Sequence, residues 1–429
     1  MGQELYIVTS ATDVLTVYKE SEKLSFDAII KSILGDFGCT DITIEKIFQR
    51  PEGSSKTWMD VCHTDFKIQM HPGEKLDVMQ AKFLGNINHW LQWDRITGPH
   101  VLSDSQGFKR VSLWKWCGNV LVDSATKTFF GSAIYRVSPT IVADFFPFDG
   151  EAWKLPYRYP EFAAKTLYES KRKAEATFAK YLSLPREERQ DASWVVQKIE
   201  QGMAEMGITE STQCAAMLLT VHRVVNSNAY RLCFWMLAHL LFDEALLATI
   251  KTEIRPAFDA SDDTLDMNYL LDDCPRLASL YEEILRTVND PIGARLVTQQ
   301  VTVGGKTLQP GARLLMPYKQ LHYDPEVFGP NAAGFDPERF LRNKNLLRSN
   351  SWRPFGGGTT LCPGRFLARR EVYMFVALLL FRFDIQLAPS PKGPIQKFPT
   401  LDDSIPSGGI LGPVSGHDVI LEVRPSVRV

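Results

Sequence analysis

Residues Phe355–Ala368 read FGGGTTLCPGRFLA, and the fold reading starts from them. Three consecutive glycines, Gly356 to Gly358, let a backbone turn tightly and let a flat ligand approach closely. Cys362 stands directly before Pro363, and proline is favoured at the first position of a helix. The following run, RFLARREVYMFVALLLF, has helical spacing and an apolar character. The pattern predicts a helix from about Pro363 to Phe383 with the Cys362 sulfur at its N-terminus. There, unpaired N–H groups and the macrodipole favour a thiolate. A thiolate in a glycine-walled apolar niche suits a soft metal ligand or a nucleophile. For an isolated Cys-Pro-Gly, a plain buried cysteine is the commoner outcome. The full spacing F-x-x-G-x-x-x-C-x-G shifts the balance toward a ligand.

Composition agrees with a large folded core. The chain has 429 residues, 45% hydrophobic and 11% aromatic, with a formal net charge of -2. These values exclude disordered, collagenous and low-complexity classes, and give no electrostatic reason to expect nucleic acid. Of the seven cysteines, no two lie at C-x-x-C spacing, which excludes a zinc ribbon or a thioredoxin-like motif. An odd count points to a reducing compartment, with the six other than Cys362 serving as small buried hydrophobes. The longest apolar runs, Leu232–Phe242 and Val372–Phe381, are about half the ~20 residues a membrane span needs. They read as core helices, and no signal peptide or transmembrane helix is legible.

Outward from the loop, the chain reads as mainly helical with small peripheral sheets, in a single domain over residues 1–429. ELYIVTS reads as a short strand, followed by a helix capped by Ser10 or Thr12. HPGEKLDVMQAKFLGNINHWLQW and VSLWKWCGNVLVDSATKTFFG carry helical periodicity. Ile208 to Arg255 contains neither Gly nor Pro; as one helix it would span roughly 70 Å. One very long helix, or a long one plus a shorter one, must cross the molecule. From Val297 to Pro317 the pattern changes to strands that turn at Gly304-Gly305 and near Pro310-Gly311. The tail GILGPVSGHDVILEVRP reads as two strands.

Phe355, Gly358, Cys362 and Gly364 match the haem-binding signature of the cytochrome P450 superfamily, whose cysteine thiolate is the axial iron ligand. The chain is identified as resembling that family, and GTTLCPGR resembles the branch of sterol 7α-hydroxylases and prostacyclin synthase, with related fungal enzymes. Thr360 departs from the Arg or His usual two residues before the cysteine. Three further elements resemble the family. CPRLASLYEEILR is similar to its K helix, with Glu283 and Arg286 on one face. FDPERFL places Arg339 where the family completes a buried triad with that pair. Arg295, in GARLVTQQ, sits where relatives often bind a haem propionate; an exposed arginine at a strand start is equally compatible. VSLWKWCGNVLVDSATKTFFG resembles the C helix with an incomplete W-x-x-x-R, so Trp116 is either a propionate contact through its indole N–H or core packing.

The resemblance implies haem b, dioxygen, NADPH-cytochrome P450 reductase as electron donor, and a lipophilic terpenoid, sterol, polyketide or alkaloid as substrate in secondary metabolism. It also implies the cytoplasmic face of the endoplasmic reticulum. The long helix departs from the family at Val224–Ala229, where the acid and alcohol that deliver protons to dioxygen are missing. Asn228 occupies the approximate place of the alcohol, on a stripe with Val224, Val225, Leu232 and Trp235, and Ser227 adjoins it. An uncompensated amide there would be costly, which points Asn228 to a ligand or oxygen; an amide bonded to backbone is the other reading. Three functions stay open: a monooxygenase in which Ser227 and Asn228 relay protons, a reductase-independent isomerase or dehydratase, and a non-catalytic haem-binding protein. The family's N-terminal anchor, first helix and first strand have no counterpart here. The strand Leu5 to Thr9 is therefore expected to present an open edge.

Overall fold

The computed structural model describes residues 4–259, 264–389, 396–406 and 408–426. Its architecture is mainly helical, with three small sheets among the described residues. The strands are β1 (Leu5–Ile7), β2 (Leu24–Ser25), β3 (Val101–Ser105), β4 (Phe108–Ser112), β5 (Ile292–Val297), β6 (Val301–Val303), β7 (Lys306–Leu308), β8 (Arg313–Pro317), β9 (Phe383–Leu387) and β10 (Ile420–Pro425). One sheet has the order β1-β8-β5-β2 and a second β3-β4-β10-β9. The hairpin β6-β7 turns on Gly304 and Gly305, both at positive φ, as a two-residue loop with right-handed strand twist requires. β1 pairs in parallel with β8 on one side only, and Leu5 and Ile7 are exposed on that edge strand. In the tail only β10 forms. Ile410 and Pro413, expected in a strand, make single bridges to Asn289 and Leu401.

The glycine-free stretch resolves into a long helix and a shorter one. Ser211–Asn226 and Ala229–Leu241 follow one another, interrupted at Ser227 and Asn228. Together they span about 46 Å at 1.5 Å per residue. A bend of 115° then leads into the helix Glu244–Ile254. Asp243 causes the break: its carboxylate accepts from the Leu246 N–H at 2.9 Å and so starts a new helix. The long pair packs against Leu113–Phe130, Lys165–Ser183, Pro275–Val288 and Arg365–Arg382. Its buried residues sit in the larger of two hydrophobic cores. The smaller core lies under the β1-β8-β5-β2 sheet. Among the described residues no single helix is long and apolar enough to cross a membrane.

Candidate haem-thiolate site

The cysteine loop is held from several directions. Asn289, just past the Pro275–Val288 helix, donates from Nδ2 to the Pro354 carbonyl at 2.8 Å. His322 Nε2 accepts the Arg353 N–H at 3.1 Å. The Cys362 N–H donates to the Phe355 carbonyl at 3.0 Å, which closes the loop on itself. Gly356 and Gly358 have φ of +75° and +61°, a region that a side chain makes costly. A Cβ at Gly357 or Gly358 would also meet the Tyr18 ring, at 2.7 and 3.0 Å. Tyr18 is itself fixed by a 2.6 Å hydroxyl contact with Tyr318. The glycines are therefore required for the loop to lie against the Ala11–Lys19 helix.

The helix after the cysteine begins at Arg365, two residues later than the proline suggested. Cys362 still lies within its N-terminal field: the N–H groups of Gly364 and Arg365 and the Arg365 charge pull its thiol down. Burial outweighs them and pushes the thiol up. Gly364 lacks the Cβ that would sit 3.8 Å from the Cys362 sulfur and 3.6 Å from the Met70 sulfur. Cys362 itself is only partly buried. A soft thiolate donor, glycine backbone beside it and nearby cations make a donor set that fits an iron porphyrin. Arg295 joins the same loop. It is buried, and its Nη2 donates to the Thr360 hydroxyl at 3.0 Å. Arg295 and Thr360 thus share the ground where the family's usual residue before the cysteine would stand.

Glu283, Arg286 and Arg339 come together. The Glu283 carboxylate accepts from Arg286 Nε and Nη2 at 2.8 and 2.7 Å. It also accepts from Arg339 Nε at 3.1 Å and from the Asp336 N–H at 2.9 Å. The remaining guanidinium N–H groups donate to carbonyls of His322, Phe328, Asn331, Ala332 and Gly334. Three side chains therefore fix the chain that leads back to the cysteine loop.

The structure corrects the placement of Trp116. Its helix, Leu113–Phe130, continues directly from β4, which pairs with β10 in the second sheet. Trp116 is fully buried, stacks on His100, and lies 6.0 Å from Phe383. Phe383 follows the C-terminal end of the Arg365–Arg382 helix, whereas Cys362 precedes its N-terminal end. An 18-residue helix separates them, about 27 Å. Trp116 thus packs in the core near the end of that helix far from Cys362, and its buried indole N–H has no protein acceptor among the described residues. The helix beside the cysteine loop is Trp58–Met70: His71, which follows it, lies 3.3 Å from Arg365 and edge-on to Phe366.

Ser227 and Asn228 also differ from expectation. The buried Ser227 hydroxyl donates back to the Arg223 carbonyl at 2.6 Å, an ordinary turn-to-turn bond. Asn228 accepts the Ile410 N–H on Oδ1 at 2.9 Å. It lies with Val224 on an exposed stripe in the middle of a helix pair that is otherwise mostly buried. Val224 is 64% exposed and Asn228 is exposed one turn later. The 409–411 segment lies beside that stripe at the helix break. Asn228 is thus exposed at the break, but its acceptor oxygen is committed to backbone. Sequence reasoning missed Asp149, Arg223 and Arg231, which gather beside the same break.

Comparison with known proteins agrees with this geometry. The family described as Cytochrome P450 matches residues 232–406, which include the triad and the cysteine loop. "Cytochrome P450 monooxygenase poxD" of Penicillium oxalicum is 28% identical, over 90% of this chain and 78% of its own length. A "Cytochrome P450 monooxygenase" of Gibberella zeae is 24% identical over 63% of this chain; the match spans 54% of that protein. "Cytochrome P450 7A1" of Oryctolagus cuniculus is 26% identical over 44% of this chain and 41% of its own length. The matched residues carry the assembled loop and triad, and through them the chain is similar to the cytochrome P450 superfamily, to which its curated relatives, named as monooxygenases, belong.

Proposed function

We propose that the protein is a haem-thiolate monooxygenase that oxidises a lipophilic small molecule of secondary metabolism. It would use dioxygen and electrons from NADPH-cytochrome P450 reductase at the endoplasmic reticulum. The observation that carries this is the presentation of Cys362: a partly buried cysteine that closes a loop of glycines three residues before a largely buried helix. Cys362 would hold haem b through its thiolate, with Phe355, Gly358 and Gly364 shaping the loop and Arg295 available to a propionate. When bound, such a group activates dioxygen for insertion into a C–H bond. The chain's own contribution is to hold the thiolate, exclude water behind it with the Arg365–Arg382 helix, and seat the substrate beside the helix break.

One observation favours a second reading, a reductase-independent isomerase or dehydratase. Ser227 and Asn228, at the helix break, bring no carboxylate, and the Ser227 hydroxyl proton and the Asn228 oxygen are already bonded to backbone; the Asp149 carboxylate beside them is taken up by Arg231. Labelled dioxygen separates the two. A monooxygenase places one labelled oxygen atom in the product and requires reductase and NADPH. Product formed without reductase and without label belongs to the isomerase.

Asn228→Leu tests the helix break. The substitution removes the acceptor for Ile410 N–H, a loss of about 1 kcal/mol or more for a partly buried backbone donor. The 409–411 segment should loosen over the break. We expect a lower melting temperature and less product per NADPH consumed, with the carbon monoxide spectrum intact. Unchanged coupling and stability would remove Asn228 from any part at the break.

A further inference from the structure

We infer that the substrate carries a carboxylate that pairs with Arg223 beside the break in the central helix; this rests on the reading that a lipophilic substrate binds beside that break. Asp149, near the end of the Ile141–Glu151 helix, is buried and faces two arginines. Arg231 takes most of it. Its Nη2 lies 2.5 Å from Asp149 Oδ2, and the Tyr230 hydroxyl donates to that oxygen at 3.1 Å. Arg231 also donates from Nε to the Tyr230 oxygen and from Nη1 to the Ile410 carbonyl, both at 3.0 Å. It is a fully used strut between three segments.

Arg223, two helical turns earlier, is not. Its Nε approaches Asp149 Oδ1 only to 3.9 Å, too far for a hydrogen bond. That nitrogen is buried without a partner, and so is Oδ1. Among the described residues, no protein acceptor meets the rest of the guanidinium. One carboxylate thus opposes two guanidiniums, and the cluster carries one uncompensated positive charge. Burial makes that charge expensive, and Arg231 adds repulsion to it. The Arg223 side chain is 25% exposed, next to the exposed Val224 at the helix break. An anion entering there would find a planar fork suited to bidentate pairing. Around the cluster, Trp114, Phe146 and Tyr230 pack ring against ring. The matching ligand is therefore an amphipathic carboxylate: one charged end at Arg223, the remainder apolar.

Decanoate and decan-1-ol, equal in chain length and different in charge, test this on the haem-loaded protein by isothermal titration calorimetry. Wild type should bind decanoate roughly tenfold tighter than decan-1-ol, as one charge-assisted pair gives. Arg223→Gln should cancel that difference while decan-1-ol binding holds, and Arg223→Lys should keep most of it. Equal binding by wild type, binding of neither ligand, or a preference that survives Arg223→Gln overturns the inference. So does parallel loss of both ligands with a fallen melting temperature in Arg223→Gln, since that marks a structural role. The carbon monoxide spectrum is read on the same samples. Its absence removes the haem reading and leaves the charge preference to stand or fall separately.

Discussion

Cys362→Ala should abolish the strongly red-shifted Soret band expected of the reduced, carbon monoxide-bound wild type, and most of the bound haem with it. The wild type should carry one haem b, and the band arises only when a thiolate lies opposite carbon monoxide. Among the described residues no cluster of His, Cys, Asp and Glu is arranged to hold a metal ion. The two imidazoles that touch the loop region are already engaged: His71 faces Arg365 and the Phe366 ring, and the His322 ring accepts the Arg353 N–H. Removing the sulfur leaves the loop itself intact, because its shape depends on backbone bonds at Phe355 and on Asn289, His322 and Tyr18. The apo variant should therefore fold, and loss of haem should not be a by-product of unfolding. A wild-type spectrum like that of a histidine-ligated haem would overturn the assignment.

What was legible in the sequence was local or carried by rigid spacing. Ser10 caps its helix on the Asp13 N–H, and Gly304-Gly305 turns its hairpin, because both depend on residues a few positions apart. Glu283 and Arg286 were legible as neighbours on a helix face, and Arg339 through its P-E-R-F setting. The failures all involve distant partners. Leu113–Phe130 has tryptophans that suggest a ligand contact, but its place is set by β4 pairing with β10, some three hundred residues along the chain. Asn228 looks poised for a ligand until Ile410 arrives from the tail. Asp149 shows no local sign that it will share two arginines from two other helices. Periodicity gives the face of a helix, and it does not say which element will cover that face.

Glu283→Ala should leave little folded, haem-loaded protein. Glu283 and Arg286 are fully buried and Arg339 nearly so. Even in the native state, one carboxylate compensates two guanidiniums, and carbonyls from His322 to Gly334 hold the remaining N–H groups. That arrangement is stable only while the carboxylate is present. With alanine, two buried cations lie close together and lose their shared acceptor, and the Asp336 N–H loses its bond too. Breaking a buried pair from one side costs about 3–5 kcal/mol. A typical domain has about 5–15 kcal/mol in total, so the loss can consume most of the margin. The damage would spread to the cysteine loop, because His322 serves both sites: its carbonyl accepts from Arg286 and its ring nitrogen from Arg353. Glu283→Gln keeps one acceptor oxygen and the shape but not the charge, and should fall between alanine and wild type. Chemical denaturation, with haem occupancy read on the same samples, checks the order wild type, glutamine, alanine. Normal expression and full haem occupancy in Glu283→Ala would mean that the carbonyl cage alone holds the two arginines.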